Sequence, residues 1–137
     1  MTRVNSAIAP ESLCDQHLVA EYGEVLRINR ESYRTPFHKI PKEFKLGKGH
    51  VKFFADKGKF IMRRHNDLKT EMHKRGYNTN YTYTLHNEGY NNDYTTTQKE
   101  FNELQYRIIE QMPDKPRYYK KYISVQEAID MLKPYQP

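Results

Sequence analysis

A chain of 137 residues with 36% hydrophobic and 29% charged side chains has room for one thin core under long polar segments, so a single domain over residues 1–137 is expected. The one cysteine, Cys14, excludes an internal disulfide, and no apolar run approaches the roughly 20 residues a membrane span needs. The N-terminus lacks the charged-then-apolar layout of a signal peptide, so a cytoplasmic protein without a membrane partner is expected. A formal charge of +6 favours polyanionic partners, nucleic acid first.

Met1 precedes a small residue, Thr2, and trimming of the initiator methionine would leave an α-amino group there. Its reference pKa of about 7.7–8.0 lies well below the roughly 10.4 of lysine, so part of it is a neutral nucleophile near pH 7. Arg3 lowers that value further by like-charge repulsion. The same residues also suit a frayed terminus with no role.

Pro10 and Glu11 suit a first helical turn, and a helix is expected over Glu11 to Arg27. Leu13, Cys14, Leu18, Tyr22, Val25 and Leu26 recur at helical spacing. His17, Glu21 and Glu24 share a second, polar face, which Arg27 extends. Such a face is either solvated or a working surface. It lacks the cysteines or further ordered histidines that would point to a metal, and none is expected.

Residues 29–49 are basic and broken by Pro36 and Pro41. Gly47-Lys48-Gly49 reads as a turn, ordinary or able to bring amides to a phosphate. Asp56 is the expected N-cap of a second helix over Lys57 to Arg75, with Phe54, Ile61 and Leu68 as its core stripe and Gly76 as its C-cap. Residues 77–96, rich in Asn, Tyr and Thr, read as a long ordered loop. Thr97 and Glu100 form a capping-box pattern opening a third helix to about Met112, with Phe101, Leu104, Ile108 and Ile109 inward.

Arg117-Tyr118-Tyr119-Lys120-Lys121-Tyr122 interleaves rings with cations. Rings suit bases and cations suit phosphates; tyrosines packed on a core with lysines outside fit equally well. Ser124 and Glu127 cap a short helix, a C-terminal extension over 124–134. The expected class is all-α, with three main helices, long loops and that extra helix.

Several strings together resemble the phage and viral pyrimidine-dimer DNA glycosylases, the T-even phage endonuclease V type. They are Met1-Thr2-Arg3-Val4-Asn5, Asp15 to Tyr22 followed by Glu24, and Ile40 to Phe44 with Leu46-Gly47. Gly49 to Phe54, Asp56-Lys57, Lys74-Arg75-Gly76 and the tail Pro116 to Tyr122 continue the likeness in order. The resemblance implies three helices side by side, with the N-terminal segment threaded between the first and third. It implies excision of the 5′ pyrimidine of a UV cyclobutane dimer through a Schiff base on the terminal amine, then strand cleavage by β-elimination.

By that resemblance Thr2 supplies the amine and Glu24 the essential carboxylate. Arg3, Gln16, His17, Arg27 and Arg107 match positions that surround the lesion or hold phosphates, and the tail 117–122 contacts DNA. The implied partner is double-stranded DNA bearing UV lesions or abasic sites, bound by a monomer that flips a base and needs no cofactor. The chain departs from the family pattern at Gly23 and Gln111, where a basic residue is usual, and at Tyr118, where tryptophan is usual. An enzyme of the same mechanism with another lesion preference, or acting mainly as a lyase, fits the same residues. A non-catalytic basic DNA-binding protein fits the charge alone.

Overall fold

The computed structural model describes residues 4–31, 35–82 and 89–136, the side chains of 29–31 excepted. Among them lie five α-helices, α1 (Asp15–Glu31), α2 (His50–Phe53), α3 (Gly58–Lys74), α4 (Gln98–Glu110) and α5 (Val125–Asp130). One two-stranded hairpin, β1 (Arg117–Tyr118) and β2 (Lys121–Tyr122), accompanies them. The all-α expectation holds: three helices are long, and the sheet is two residues wide on each strand. No helix among the described residues is long and apolar enough to cross a membrane.

One core joins all the long helices. Leu18, Tyr22 and Val25 of α1, Phe60, Ile61 and Leu68 of α3, and Phe101, Leu104 and Ile108 of α4 are buried together with Val4 and Ile8 of the N-terminal segment. The α1 and α4 residues stand at spacings of three, four and seven and the α3 residues at seven and eight, which places each set on one helix face. Ile109, expected inward, is exposed, because it stands one residue round from Ile108 on α4.

The first helix begins later than expected and runs further. Pro10–Ser12 form a separate 3-10 turn, Leu13 is extended, and α1 starts at Asp15. The cause lies 60 residues away. The Arg75 guanidinium donates to the carbonyls of Leu13 at 2.7 Å, Glu11 at 3.3 Å and Pro10 at 3.4 Å. The Pro10 carbonyl also accepts Leu13 N–H at 3.1 Å, closing a single tight turn, and the Arg75 bonds hold the extended Leu13 that follows it. At its other end α1 passes Arg27 and continues to Glu31, burying Ile28 on the way.

The start of α3 is also different. Its N-cap is Lys57, without a side-chain cap, while the Asp56 carboxylate pairs with the Lys57 ammonium at 2.9 Å. The turn is sealed by Gly58, whose N–H donates to the Tyr90 carbonyl at 2.8 Å. A Cβ at Gly58 would stand 2.6 Å from Asn91 Oδ1 and 2.9 Å from the Tyr90 carbonyl, so the loop can approach α3 only at a glycine. Gly76 closes α3 in the left-handed region, with Tyr77 N–H donating to the Met72 carbonyl at 2.9 Å.

Thr97 caps α4 by accepting from Glu100 N–H, as expected. The Glu100 carboxylate also accepts the Tyr94 hydroxyl. Ser124 and Glu127 form the complete box on α5. The loop before α4 is irregular where it is described, and its residues 83–88 lie outside the described residues.

The N-terminal segment is held from three sides. Arg64 Nη1 of α3 donates to the Ile8 carbonyl at 2.5 Å. His50 Nε2 of α2 stands 3.3 Å from Val4 N and 3.0 Å from Val4 O. The C-terminal stretch closes the third side, with Ala9 N–H donating to the Lys133 carbonyl and Tyr135 N–H to the Ala7 carbonyl.

Candidate functional site

Thr2 and Arg3 lie outside the described residues, so the site is built from α1 outward. The face that reads as uniformly polar in the sequence is split by the fold. Glu21 is fully buried and makes a two-pronged ion pair with Arg64, Nε to Oε2 at 2.7 Å and Nη2 to Oε1 at 2.8 Å. It locks α1 to α3 and is not available to a ligand. Glu24 remains at the surface edge with its side chain 25% exposed.

The Glu24 carboxylate is poised rather than consumed. Arg27 Nη1 stands 3.9 Å from Glu24 Oε2, inside ion-pair range and beyond hydrogen-bond range. That oxygen is shielded from water and has no hydrogen-bond partner among the described residues. A shielded carboxylate oxygen without a donor is costly to leave so, and it is the kind of group a reacting amine or sugar would satisfy. Gly23 beside it is exposed, with open space where a Cβ would stand.

Gln16 and His17 face a different neighbourhood. Gln16 clamps the tail with both ends of its amide, donating to the Lys115 carbonyl and accepting from Arg117 N–H, each at 2.9 Å. His17 Nε2 donates to the Gln111 carbonyl at 3.1 Å, tying α1 to the end of α4. Arg107 is half-buried on that same last turn. These residues gather around the start of α1, whereas Glu24 lies about 10 Å further along its axis.

Burial pushes the His17 ring below the ordinary histidine value, opposed by the Gln111 carbonyl and Glu21. Burial does the same to His65. The fold thus favours neutral rings, while the unfolded chain binds protons as the pH falls through about 6.5. Stability is expected to decline below that pH. Burial raises Glu100 and gives the opposite slope, but in a lower window just above the ordinary glutamate value. Denaturant midpoints at pH 7.5 and 5.8 check this: the lower-pH midpoint should be smaller, with the gap narrowed in His17→Asn.

The hairpin is the site's least expected element. Tyr119 and Lys120 both occupy the left-handed region, with φ of 53° and 66°. Two residues with positive φ make the turn that suits a two-residue hairpin, yet neither is Gly or Asn. The conformation costs roughly 1–2 kcal/mol per residue. Buried Asp15 offsets it by accepting Tyr119 N–H at 3.1 Å on Oδ1 and Lys120 N–H at 2.7 Å on Oδ2. The same carboxylate accepts Arg75 Nη1 at 3.0 Å and the Tyr77 hydroxyl at 3.0 Å.

The interleaved tail therefore divides. The Tyr118 ring lies 4.5 Å from the Arg75 guanidinium, and its hydroxyl donates to the Glu11 carbonyl. The Tyr119 hydroxyl donates to Glu71 at 3.1 Å, and Lys120 Nζ to the Gly76 carbonyl at 3.1 Å. Those three side chains anchor the hairpin on the protein. Lys121 and Tyr122 point outward, Tyr122 being 70% exposed, and Arg117 is half-buried at the base. Asp15 and Arg75, which organise this arrangement, were not read as site residues. Nothing local marks them: Asp15 is an ordinary first-turn acid, and its partners stand 60 to 105 positions away.

No three His, Cys, Asp or Glu side chains gather among the described residues as a metal ion would require. A comparison with protein families matches residues 1–85 to the family described as pyrimidine dimer DNA glycosylase. The matched stretch carries Thr2, Arg3, Gln16, His17, Glu24 and Arg27, and it ends before Arg107 and the hairpin.

Proposed function

Since the chain belongs to the pyrimidine dimer DNA glycosylase family, a DNA repair glycosylase acting on DNA, we propose that it also carries abasic-site lyase activity through the terminal amine of Thr2. The observation that carries this reading is Glu24 Oε2, water-shielded, 3.9 Å from Arg27 and without a hydrogen bond among the described residues. A carboxylate in that condition is matched to positive charge developing on a sugar and to proton transfer.

In the proposed reaction the neutral amine attacks C1′ of the 5′ pyrimidine nucleotide. The new C1′–N bond forms as the glycosyl bond breaks, and the base leaves with the bonding pair and takes up a proton. Opening of the sugar ring gives an iminium, which draws electrons from C2′ once its proton is removed. The C3′–O bond then breaks and the 3′ phosphate departs. Glu24 serves the charge and the proton transfers, with the Arg27 guanidinium 3.9 Å from its carboxylate. The implied substrate is a duplex with a UV dimer or an abasic site, bent and with a base flipped out, which costs less at a lesion than in sound DNA.

Borohydride trapping tests this. Protein verified to begin at Thr2 is incubated with a duplex carrying one cyclobutane dimer, beside an abasic duplex, and the adduct is mapped by mass spectrometry. An adduct on Thr2 with both substrates is expected, and N-acetylation should abolish it. No adduct with either substrate overturns the mechanism.

The tail's division gives a binding prediction. Lys121→Ala should weaken binding to any duplex and reduce the salt slope of log affinity by about one, as loss of one phosphate contact does. Lys120→Ala should change that slope less, since its ammonium already serves the Gly76 carbonyl and lies 4.9 Å from the Tyr77 ring. Binding titrations from low to moderate salt separate the two.

A further inference from the structure

His50 is a buried histidine on the four-residue helix α2, far in sequence from the proposed chemistry. Its partners connect it to that chemistry. Nδ1 lies 2.9 Å from the Lys45 carbonyl, which can only accept, so Nδ1 carries a proton. Nε2 faces both backbone groups of Val4, the N–H at 3.3 Å and the carbonyl at 3.0 Å. An unprotonated Nε2 accepts the N–H, and a protonated Nε2 donates to the carbonyl. In either state the ring grips Val4. The rings of Phe44 and Phe54 pack edge-on against it at centroid distances of 5.5 Å and fix its plane.

Val4 is two residues from Thr2. A chain spans at most about 3.6 Å per residue, so a fixed Val4 confines the Thr2 amine to within roughly 7 Å. Resting on the amine mechanism proposed above, we infer that His50 is a positioning residue for the nucleophile, holding Val4 so that the amine meets the sugar beside Glu24. The other ties on the segment act further along, at Ala7, Ile8 and Ala9. His50 Nε2 is placed within reach of both backbone groups of Val4 and bonds one or the other according to its protonation. Its effect on the chemistry would run through the segment it holds at Val4.

The test compares His50→Gln with His50→Asn, which remove the same ring. The glutamine amide reaches the position of Nε2 and offers a donor and an acceptor to Val4. The shorter asparagine amide reaches only the position of Nδ1 and keeps the Lys45 carbonyl. Single-turnover base excision, borohydride trapping on abasic duplex, lesion Kd and Tm are measured for both and for the unsubstituted protein. His50→Asn is expected to lose about 100-fold in excision and trapping, the scale of a small misplacement of a reacting group, with Kd within a few-fold. His50→Gln should retain much of both rates at a similar Tm.

Equal rates in the two variants, or losses that simply follow Tm or Kd, overturn the positioning role while leaving the amine mechanism intact. Absence of a Thr2 adduct in the unsubstituted protein overturns the mechanism itself, and the positioning role with it. Recovery in His50→Gln alone supports both.

Discussion

Replacing Glu24 with glutamine is expected to slow strand cleavage at a pyrimidine dimer by about 10²–10⁴-fold while leaving lesion binding within a few-fold. The substitution keeps the shape and removes only the charge and the basicity. Because Glu24 Oε2 has no hydrogen bond among the described residues, no structural bond is lost with it. The ion pair to Arg27 is long and partly exposed, so its loss should matter little to folding. Single-turnover cleavage and a binding titration on the same lesion duplex decide the point. Full cleavage by Glu24→Gln would remove the carboxylate from the mechanism. Weakened binding in step with slowed cleavage would make it a binding group instead.

Glu21→Ala is expected to destabilise the fold by about 3–5 kcal/mol, the usual effect of leaving a buried charge without its partner. Glu21 and Arg64 are both fully buried at the side chain, so water cannot take over the lost bonds. Arg64 would keep the Ile8 carbonyl and the Tyr135 ring, 4.7 Å from its guanidinium, but lose its carboxylate partner. The double substitution Glu21→Ala with Arg64→Met should recover part of the loss, because an apolar pair carries no desolvation penalty. The deficit that remains then includes the bond from Arg64 to Ile8 and its contact with the Tyr135 ring. Denaturant melts of the two single variants and the double variant close the cycle. A Glu21→Ala melt within about 1 kcal/mol of the parent would mean that water reaches Arg64.

The contrast between Glu21 and Glu24 shows where the sequence is readable. Periodicity at Leu18, Tyr22 and Val25, at Phe60, Ile61 and Leu68, and at Phe101, Leu104 and Ile108 identifies the three long helices. Local chemistry identifies their punctuation at Gly76, Thr97 and Ser124. Both signals are carried by residues within a few positions of one another. Glu21 and Glu24 differ only in what lies opposite, and Arg64 is 43 positions away. The late start of α1 and the left-handed hairpin turn likewise answer to Arg75 and Asp15 across 60 positions or more. No local pattern announces such partners. The candidate residues Gln16, His17, Glu24 and Arg27 are reached through the resemblance strings, and the fold sets all four along α1. The division of the site into a carboxylate edge, a tail clamp and two outward side chains depends on the fold.

The closure of the N-terminal segment by the C-terminal stretch bears on biosynthesis. Ser12 accepts from Lys133 N–H across 121 residues, and Ala7 and Ala9 bridge to Tyr135 and Lys133. At about 5–20 residues per second, those partners follow the segment out of the ribosome by on the order of ten seconds. Through that interval the segment cannot take its final seat. The stretch around Ala7 to Ser12 is thus among the last parts of the core to be closed on every side, long after the residues that line its other two sides have been made.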